Sequence, residues 1–159
     1  MKLGMVGLGK MGANMTTRLL EGGHDVVVTD LNMNAVKSAE SSGAIASSGL
    51  KDLVSKLDAP RIVWVMVPSG GPTESTVTAL GDMVEAGDII IDGGNSNYKD
   101  TMRRGEALKE KGIHYVDVGT SGGVWGLKEG YSMMIGGDDE PVQSLTPIFE
   151  TFAPATDKG

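Results

Sequence analysis

The chain has 159 residues, 40% apolar and 22% charged, the size and balance of one globular domain. It has no cysteine, which excludes disulfides, thiol nucleophiles and thiolate metal sites, and its net charge of −7 argues against a nucleic-acid partner, whose phosphates want a basic face. No apolar run nears the roughly 20 residues that span a bilayer, and the N-terminus leads straight into a glycine-rich turn rather than a signal peptide, so the expectation is a cytoplasmic protein without nucleic-acid or membrane partners.

Strands and helices alternate along the chain. The first strand is predicted over Leu3–Val6, followed by a helix whose buried stripe is Met11, Met15 and Leu19, ended by Gly22-Gly23. A second strand covers Val26–Thr29. Helices over Met33–Glu40 and Leu50–Leu57 come before a third, Ile62–Val67. That run is apolar without alternation, the pattern of a strand covered on both faces. A helix from Glu74 to Met83 leads to strand Ile89–Asp92. Another from Tyr98 to Glu110 leads to strands Tyr115–Val118 and Ser132–Ile135. One last helix follows Asp138-Asp139-Glu140-Pro141, with Val142, Leu145 and Phe149 facing inward. This order predicts a Rossmann-type doubly wound α/β domain over residues 1–159: a mostly parallel sheet, helices on both faces and ligands at the carboxyl ends of the strands.

The 24 glycines, about 15% of the chain against an average near 7%, cluster at those strand ends. Gly7-Leu8-Gly9-Lys10-Met11-Gly12 is G-x-G-x-x-G between a strand and a helix, the context this dinucleotide fingerprint requires. Gly7 permits the turn, Gly9 lets backbone reach a pyrophosphate and Gly12 lets helix and strand pack closely. The anion then meets the free N–H groups and positive end of the helix. Asp30 stands 18 residues after Gly12, at the end of the second strand. A carboxylate there accepts from both ribose hydroxyls of NAD and repels the 2′-phosphate of NADP. Lys37, in the next helix, reads as a solvated face.

Three further loops follow strands. Val67-Pro68-Ser69-Gly70-Gly71-Pro72-Thr73 is stiffened by proline and opened by glycine, suiting it to the nicotinamide half of a cofactor. In Asp92-Gly93-Gly94-Asn95-Ser96, Asn95 is either a helix cap or a ligand for cofactor or substrate. Gly119-Thr120-Ser121-Gly122-Gly123 reads as a nest of N–H groups suited to a carboxylate, or as a plain turn. No catalytic group and no metal-ligand spacing emerges. His24 and His114 read as surface or strand-edge residues.

Together these loops resemble the β-hydroxyacid dehydrogenase superfamily. Val6-Gly7-Leu8-Gly9-Lys10-Met11-Gly12-Ala13-Asn14-Met15 looks like its cofactor fingerprint. Ile91-Asp92-Gly93-Gly94-Asn95-Ser96 and Gly119 to Leu127, with Gly130 to Gly137 behind, are similar to the 6-phosphogluconate dehydrogenase family, most of all its short NAD-preferring bacterial form. The resemblance implies that Gly7, Leu8, Gly9, Lys10, Met11, Gly12, Asp30, Val67, Pro68, Ser69, Thr73 and Asn95 hold NAD. It implies that Asn95, Ser121, Gly122 and Gly123 hold 6-phosphogluconate. Long NADP-dependent members carry Asn-Arg-Thr after the second strand; here Asp30-Leu31-Asn32 stands there, which supports NAD.

The activity so implied is oxidation of 6-phosphogluconate at C3, loss of carbon dioxide and protonation to ribulose 5-phosphate, in the pentose phosphate pathway. The family's base lysine and acid glutamate lie on a long helix after this domain, whereas this sequence ends at Asp157-Lys158-Gly159. Lys158 precedes that helix and is not the base. The expectation is therefore an inactive cofactor half lacking a helical catalytic and dimerisation domain, with an apolar patch exposed near Trp125, and a homo-oligomer in the full-length enzyme. Two alternatives remain at this point: a dehydrogenase of another small β-hydroxy acid such as 3-hydroxyisobutyrate, and a stand-alone NAD-sensing module.

Overall fold

The computed structural model describes residues 1–67, 71–93, 98–121, 132–137 and 139–152. Seven strands form one sheet: β1 (Lys2–Val6), β2 (Asp25–Thr29), β3 (Ile45–Ala46), β4 (Ile62–Val65), β5 (Ile89–Asp92), β6 (His114–Ser121) and β7 (Ser132–Gly136). Their spatial order is β3-β2-β1-β4-β5-β6-β7. All neighbours are parallel except β6 and β7. The helices are α1 (Lys10–Glu21), α2 (Met33–Ser41), α3 (Leu50–Ser55), α4 (Gly71–Met83), α5 (Tyr98–Glu110), α6 (Asp139–Ser144) and α7 (Thr146–Phe152).

Strand alternation divides the core between two faces. Met5, Val28, Trp64 and Ile91 point to one side, against Met15 and Leu19 of α1 and Ile148, Phe149 and Phe152 of α7. Val27, Val63, Val65 and Ile90 point to the other, against Leu53 of α3, Leu80 of α4 and Leu108 of α5. Every residue of β4 and β5 is buried, as expected for strands covered on both faces. The architecture is the Rossmann-type α/β fold the sequence predicts.

Five elements differ most from expectation. α4 starts at Gly71 rather than Glu74, so Gly71, Pro72 and Thr73 of the predicted loop belong to the helix. A two-residue strand, β3, pairs with the far side of β2. β4 stops at Val65, so Met66 and Val67 leave the ladder. β6 extends to Ser121, so Gly119, Thr120 and Ser121 are not loop but pair with Met134, Met133 and Ser132 of β7. The single last helix is two, α6 and α7. Pro147 lies in the first turn of α7, where a missing N–H costs little; a helix continuing from Ser144 would need that N–H for the Gln143 carbonyl. At seven residues α7 is too short to be helical alone. It is held by packing, with Phe152 and Phe149 edge-on to Trp64 at 5.1 and 6.2 Å between centroids. Full burial of each such side chain contributes about 1.5–3 kcal/mol.

Among the described residues no helix is long and apolar enough to cross a membrane, and no cluster of three or more acidic or histidine side chains is placed to hold a metal ion.

Candidate functional site

The strand order reverses at β1 and β4, and the crevice outside their carboxyl ends is where an open α/β sheet takes its ligand. A cleft of about 1150 Å³ opens there. That is above the roughly 300–1,000 Å³ of pockets for drug-sized ligands.

The glycine loop forms its floor. Gly7, at φ 100°, turns the chain out of β1 in a conformation that suits glycine. Its N–H bonds the Thr29 carbonyl at 3.0 Å, pinning the loop to the end of β2. A Cβ on Gly12 would run into the Gly7 carbonyl, so α1 packs on the turn only because residue 12 is glycine. Gly9 differs: a Cβ there meets nothing within 4 Å, and Gly9 lines the cleft. The space a side chain would fill is thus left to a ligand. No side chain caps α1 and its first turn holds no acid, so the positive helix end faces the cleft uncompensated. These features fit a dinucleotide pyrophosphate.

Asp30 follows β2, half-buried at the cleft wall. Oδ2 accepts the Leu8 N–H at 2.5 Å and Oδ1 the Asn32 N–H at 2.8 Å. The two donors fix the carboxylate plane, and each oxygen keeps a lone pair for a ribose hydroxyl. Beside it, fully exposed Leu31 and half-exposed Met33 give the cleft an apolar flank for a flat ring.

Of the predicted cofactor residues, Gly7, Gly9, Lys10, Met11, Gly12, Asp30 and Val67 line the cleft. Met11 is half-buried where the stripe reading expects it inside, because it borders the opening. Leu8 lies under the loop, buried, and contributes its N–H to Asp30. Thr73 is fully buried on the α4 face it shares with Val77 and Leu80, while Pro72, Ser75 and Thr76 turn to the cleft. Lys37 is exposed on α2. Pro68, Ser69, Asn95, Gly122, Gly123 and Trp125 lie outside the described residues; Ser121 is placed by its main chain as the last residue of β6. Sequence reasoning missed Ser48, Gly49 and Leu50, which reach the cleft because β3 returns the chain beside β2. It also missed Ser75 and Thr76, for which the helical spacing 72, 75, 76 was the available signal.

Beside Gly93 lies a charged cluster with a buried centre, Asp92 and Arg104, and an exposed rim, Glu74 and Arg103. Asp92 is fully buried and accepts the Tyr115 hydroxyl at 2.7 Å. Arg104 of α5, 4% exposed, reaches Asp92 at 3.5 Å through one amino group and Glu74 of α4 at 2.5 Å through Nε. Arg103 grips Glu74 with both amino groups, at 2.6 and 3.2 Å. Hydrogen bonds from Arg103 and then Arg104 hold the Glu74 carboxyl down at about 2. Burial, and then the Asp92 charge, push the Asp117 carboxyl up. Burial, and then the bond to Asp92, push the Tyr115 hydroxyl up.

His24, expected at the surface or a strand edge, is buried immediately before β2. It is 8% exposed in the turn between α1 and β2, with Nδ1 2.8 Å from the Met1 ammonium and Nε2 2.7 Å from Thr151 Oγ1. Thr151 gives its own proton to the Pro147 carbonyl. Nε2 therefore donates to Thr151 and Nδ1 accepts from the ammonium, which defines a neutral ring. Burial, and then the terminal charge, lower its pKa.

Residues 2–158 match the family described as the NAD binding domain of 6-phosphogluconate dehydrogenase. The NAD(+)-dependent, decarboxylating 6-phosphogluconate dehydrogenase of Haloferax volcanii is 39% identical over 99% of this chain and 52% of that protein. The decarboxylating 6-phosphogluconate dehydrogenase of Haemophilus influenzae is 40% identical over 99% of this chain and 34% of that protein. The chain thus spans about half or less of the length of these relatives. Among solved structures, Plasmodium falciparum 6-phosphogluconate dehydrogenase superposes with a TM-score of 0.89 at 28% identity, over 98% of this chain and 35% of that one.

Proposed function

This chain belongs to the 6-phosphogluconate dehydrogenase family within the β-hydroxyacid dehydrogenase superfamily, as an NAD-binding oxidoreductase domain, and on that premise we propose that it is the cofactor- and substrate-binding half of an enzyme that oxidatively decarboxylates 6-phosphogluconate to ribulose 5-phosphate. The observation that carries the cofactor half of the reading is the open space over Gly9 beside an uncapped helix end, with Asp30 already oriented by Leu8.

Gly7, Gly9 and Gly12 shape the seat for the pyrophosphate, Lys10 and Met11 border it, and Asp30 takes the adenosine ribose. Val67, Pro68 and Ser69 are assigned to the cofactor's other half; Thr73, buried on the opposite side of α4 from the cleft, is not. Asn95, Ser121, Gly122 and Gly123 are assigned to the sugar acid, with Asn95 shared between the ligands; the motif resemblance supports these. The bound cofactor supplies the hydride acceptor. Among the described residues lining the cleft the titratable side chains are Lys10 and Asp30; the family resemblance supports assigning proton transfer to a lysine and a glutamate on a helix after this domain. The full-length enzyme is proposed to be a cytoplasmic homo-oligomer, completed by a helical domain and working without nucleic-acid or membrane partners.

NAD preference follows from charge. A carboxylate and a phosphate charge about 6 Å apart repel by roughly 3 kcal/mol at an effective dielectric of 20. Calorimetric titration should show NAD binding at least about tenfold more tightly than NADP. Absence of NAD binding would sink the cofactor reading; equal affinities would sink the Asp30 assignment. The isolated chain is expected to turn over no 6-phosphogluconate. In the longer protein, turnover of 3-hydroxyisobutyrate in preference to 6-phosphogluconate would move the substrate assignment to the smaller acid.

A further inference from the structure

The charged cluster beside Gly93 has no part in the cofactor seat described above, yet it lies where two of the cleft's walls are rooted. A buried ion network is a weak source of stability, since well-packed apolar side chains often do as well. What it adds is geometry, because charged partners with fixed hydrogen-bond directions tolerate few arrangements. Arg104 suits that role: its planar fork presents Nε to Glu74 and an amino group to Asp92, and so joins α4 to β5 through one side chain from α5.

The residues it joins are sequence neighbours of cleft residues. Glu74 precedes Ser75, and Asp92 precedes Gly93; both Ser75 and Gly93 line the opening. Gly93 is itself tightly seated, since a Cβ there would run into the Trp64 indole nitrogen and the Met66 sulfur. With Asp30 taking the adenosine ribose, this opposite end receives the nicotinamide.

We propose that Arg104 is a positioning residue for the nicotinamide end of the cofactor site, fixing the separation of Ser75 on α4 from Gly93 after β5 by bridging Glu74 and Asp92. The proposal rests on the reading of this cleft as a dinucleotide site. Tyr115 completes the bridge from β6 by holding the Asp92 oxygen that faces Arg104.

The test compares two ligands that share the adenosine and pyrophosphate but differ at the far end. NAD and ADP-ribose are titrated into the wild-type chain, Arg104→Lys and Glu74→Gln, with thermal melts of each. Arg104→Lys keeps the charge and loses the fork. Glu74→Gln alters a partly exposed partner and keeps the test usable if the lysine variant does not fold. The expected result is a loss of about tenfold or more in NAD affinity for Arg104→Lys, a smaller loss in the same direction for Glu74→Gln, and ADP-ribose affinity within about twofold of wild type for both. Equal losses for the two ligands, or no loss for either, overturn the proposal. A wild type that binds NAD no better than ADP-ribose overturns it too, since no nicotinamide contact is then there to be positioned. A wild type that binds neither ligand sinks the cofactor-site reading first, so the two failures are distinguishable.

Discussion

The two ends of the cleft are built from different materials. At the Asp30 end the protein offers backbone: a glycine turn, the free end of α1, and a carboxylate held by main-chain N–H groups. At the Gly93 end the walls are held from behind by buried side-chain charge, with Arg104 between Glu74 and Asp92. The first end should therefore respond most to added atoms, and to removed charge through Asp30. The second should respond to charge and to the shape of a guanidinium. The difference also suits the proposed placement of the ligand: a pyrophosphate asks for a fixed row of donors, while a flat ring presented to a substrate asks for a set distance between walls.

The sharpest contrast lies within the glycine loop. Gly12→Ala places a methyl group against the Gly7 carbonyl, a backbone clash that cannot be relieved by a rotamer change. We expect a loss of about 2–3 kcal/mol in stability and of NAD binding at any accessible concentration, measured by urea denaturation and calorimetry. Gly9→Ala adds the same methyl where nothing of the protein lies within 4 Å. Its urea midpoint should stay within experimental reach of wild type, while NAD affinity falls about a hundredfold, equivalent to about 2.8 kcal/mol. Equal affinity in Gly9→Ala and wild type would mean that the space over Gly9 is not the pyrophosphate seat.

Next in size comes Asp30→Asn. The amide keeps the shape and loses the charge, and its NH2 must face one of the two N–H groups the carboxylate now accepts. NAD affinity is expected to fall about tenfold, near 1.4 kcal/mol, with NADP affinity unchanged or higher. The ratio between the two cofactors is the measurement that decides. A ratio equal to that of wild type would show that Asp30 discriminates by nothing more than holding Leu8.

What the sequence makes legible follows the same division. Gly7, Gly9, Gly12 and Asp30 belong to one β-α-β stretch, and the roles proposed for them rest on local turn geometry and one parallel pairing. The far end depends on tertiary placement. Arg104, Glu74 and Asp92 come from three elements, and nothing in their spacing announces a bridge. Thr73 and Ser75 differ by two positions and face opposite ways, because the rotation of α4 is set by Val77 and Leu80 against the sheet. β3 is too short to show a period, yet it brings Ser48 and Gly49 to the cleft. The break before α7 was readable in Pro147, whose missing N–H outweighs the continuous inner face of Val142, Leu145 and Phe149. His24 gave no sign at all, since its partner Thr151 is distant in sequence.

The smallest expected effect would blur the comparison if it came out large. Between pH 7.5 and about pH 5 the shift expected to matter in the first half of the chain is that of His24, buried in the turn between α1 and β2. Its folded pKa is lowered, by burial first and by the Met1 ammonium second, with Asp25 pulling the other way. The unfolded chain therefore takes up a proton before the folded one does. Stability is fully present above the ordinary value near 6.5 and is lost as pH falls from there towards the folded pKa, at no more than about 1.4 kcal/mol per pH unit. Asp117 titrates with the opposite sign, because its raised carboxyl pKa favours the folded state on acidification. The Glu74 carboxyl, held at about 2, releases its contribution only below the ordinary carboxylate range. The slope alone thus mixes several groups, and comparison with His24→Gln isolates one: glutamine has no proton to gain and can still donate to Thr151. Urea midpoints from pH 7.5 down to about pH 5 should fall more steeply in wild type than in the variant. Parallel slopes would place the proton elsewhere and leave His24 as packing.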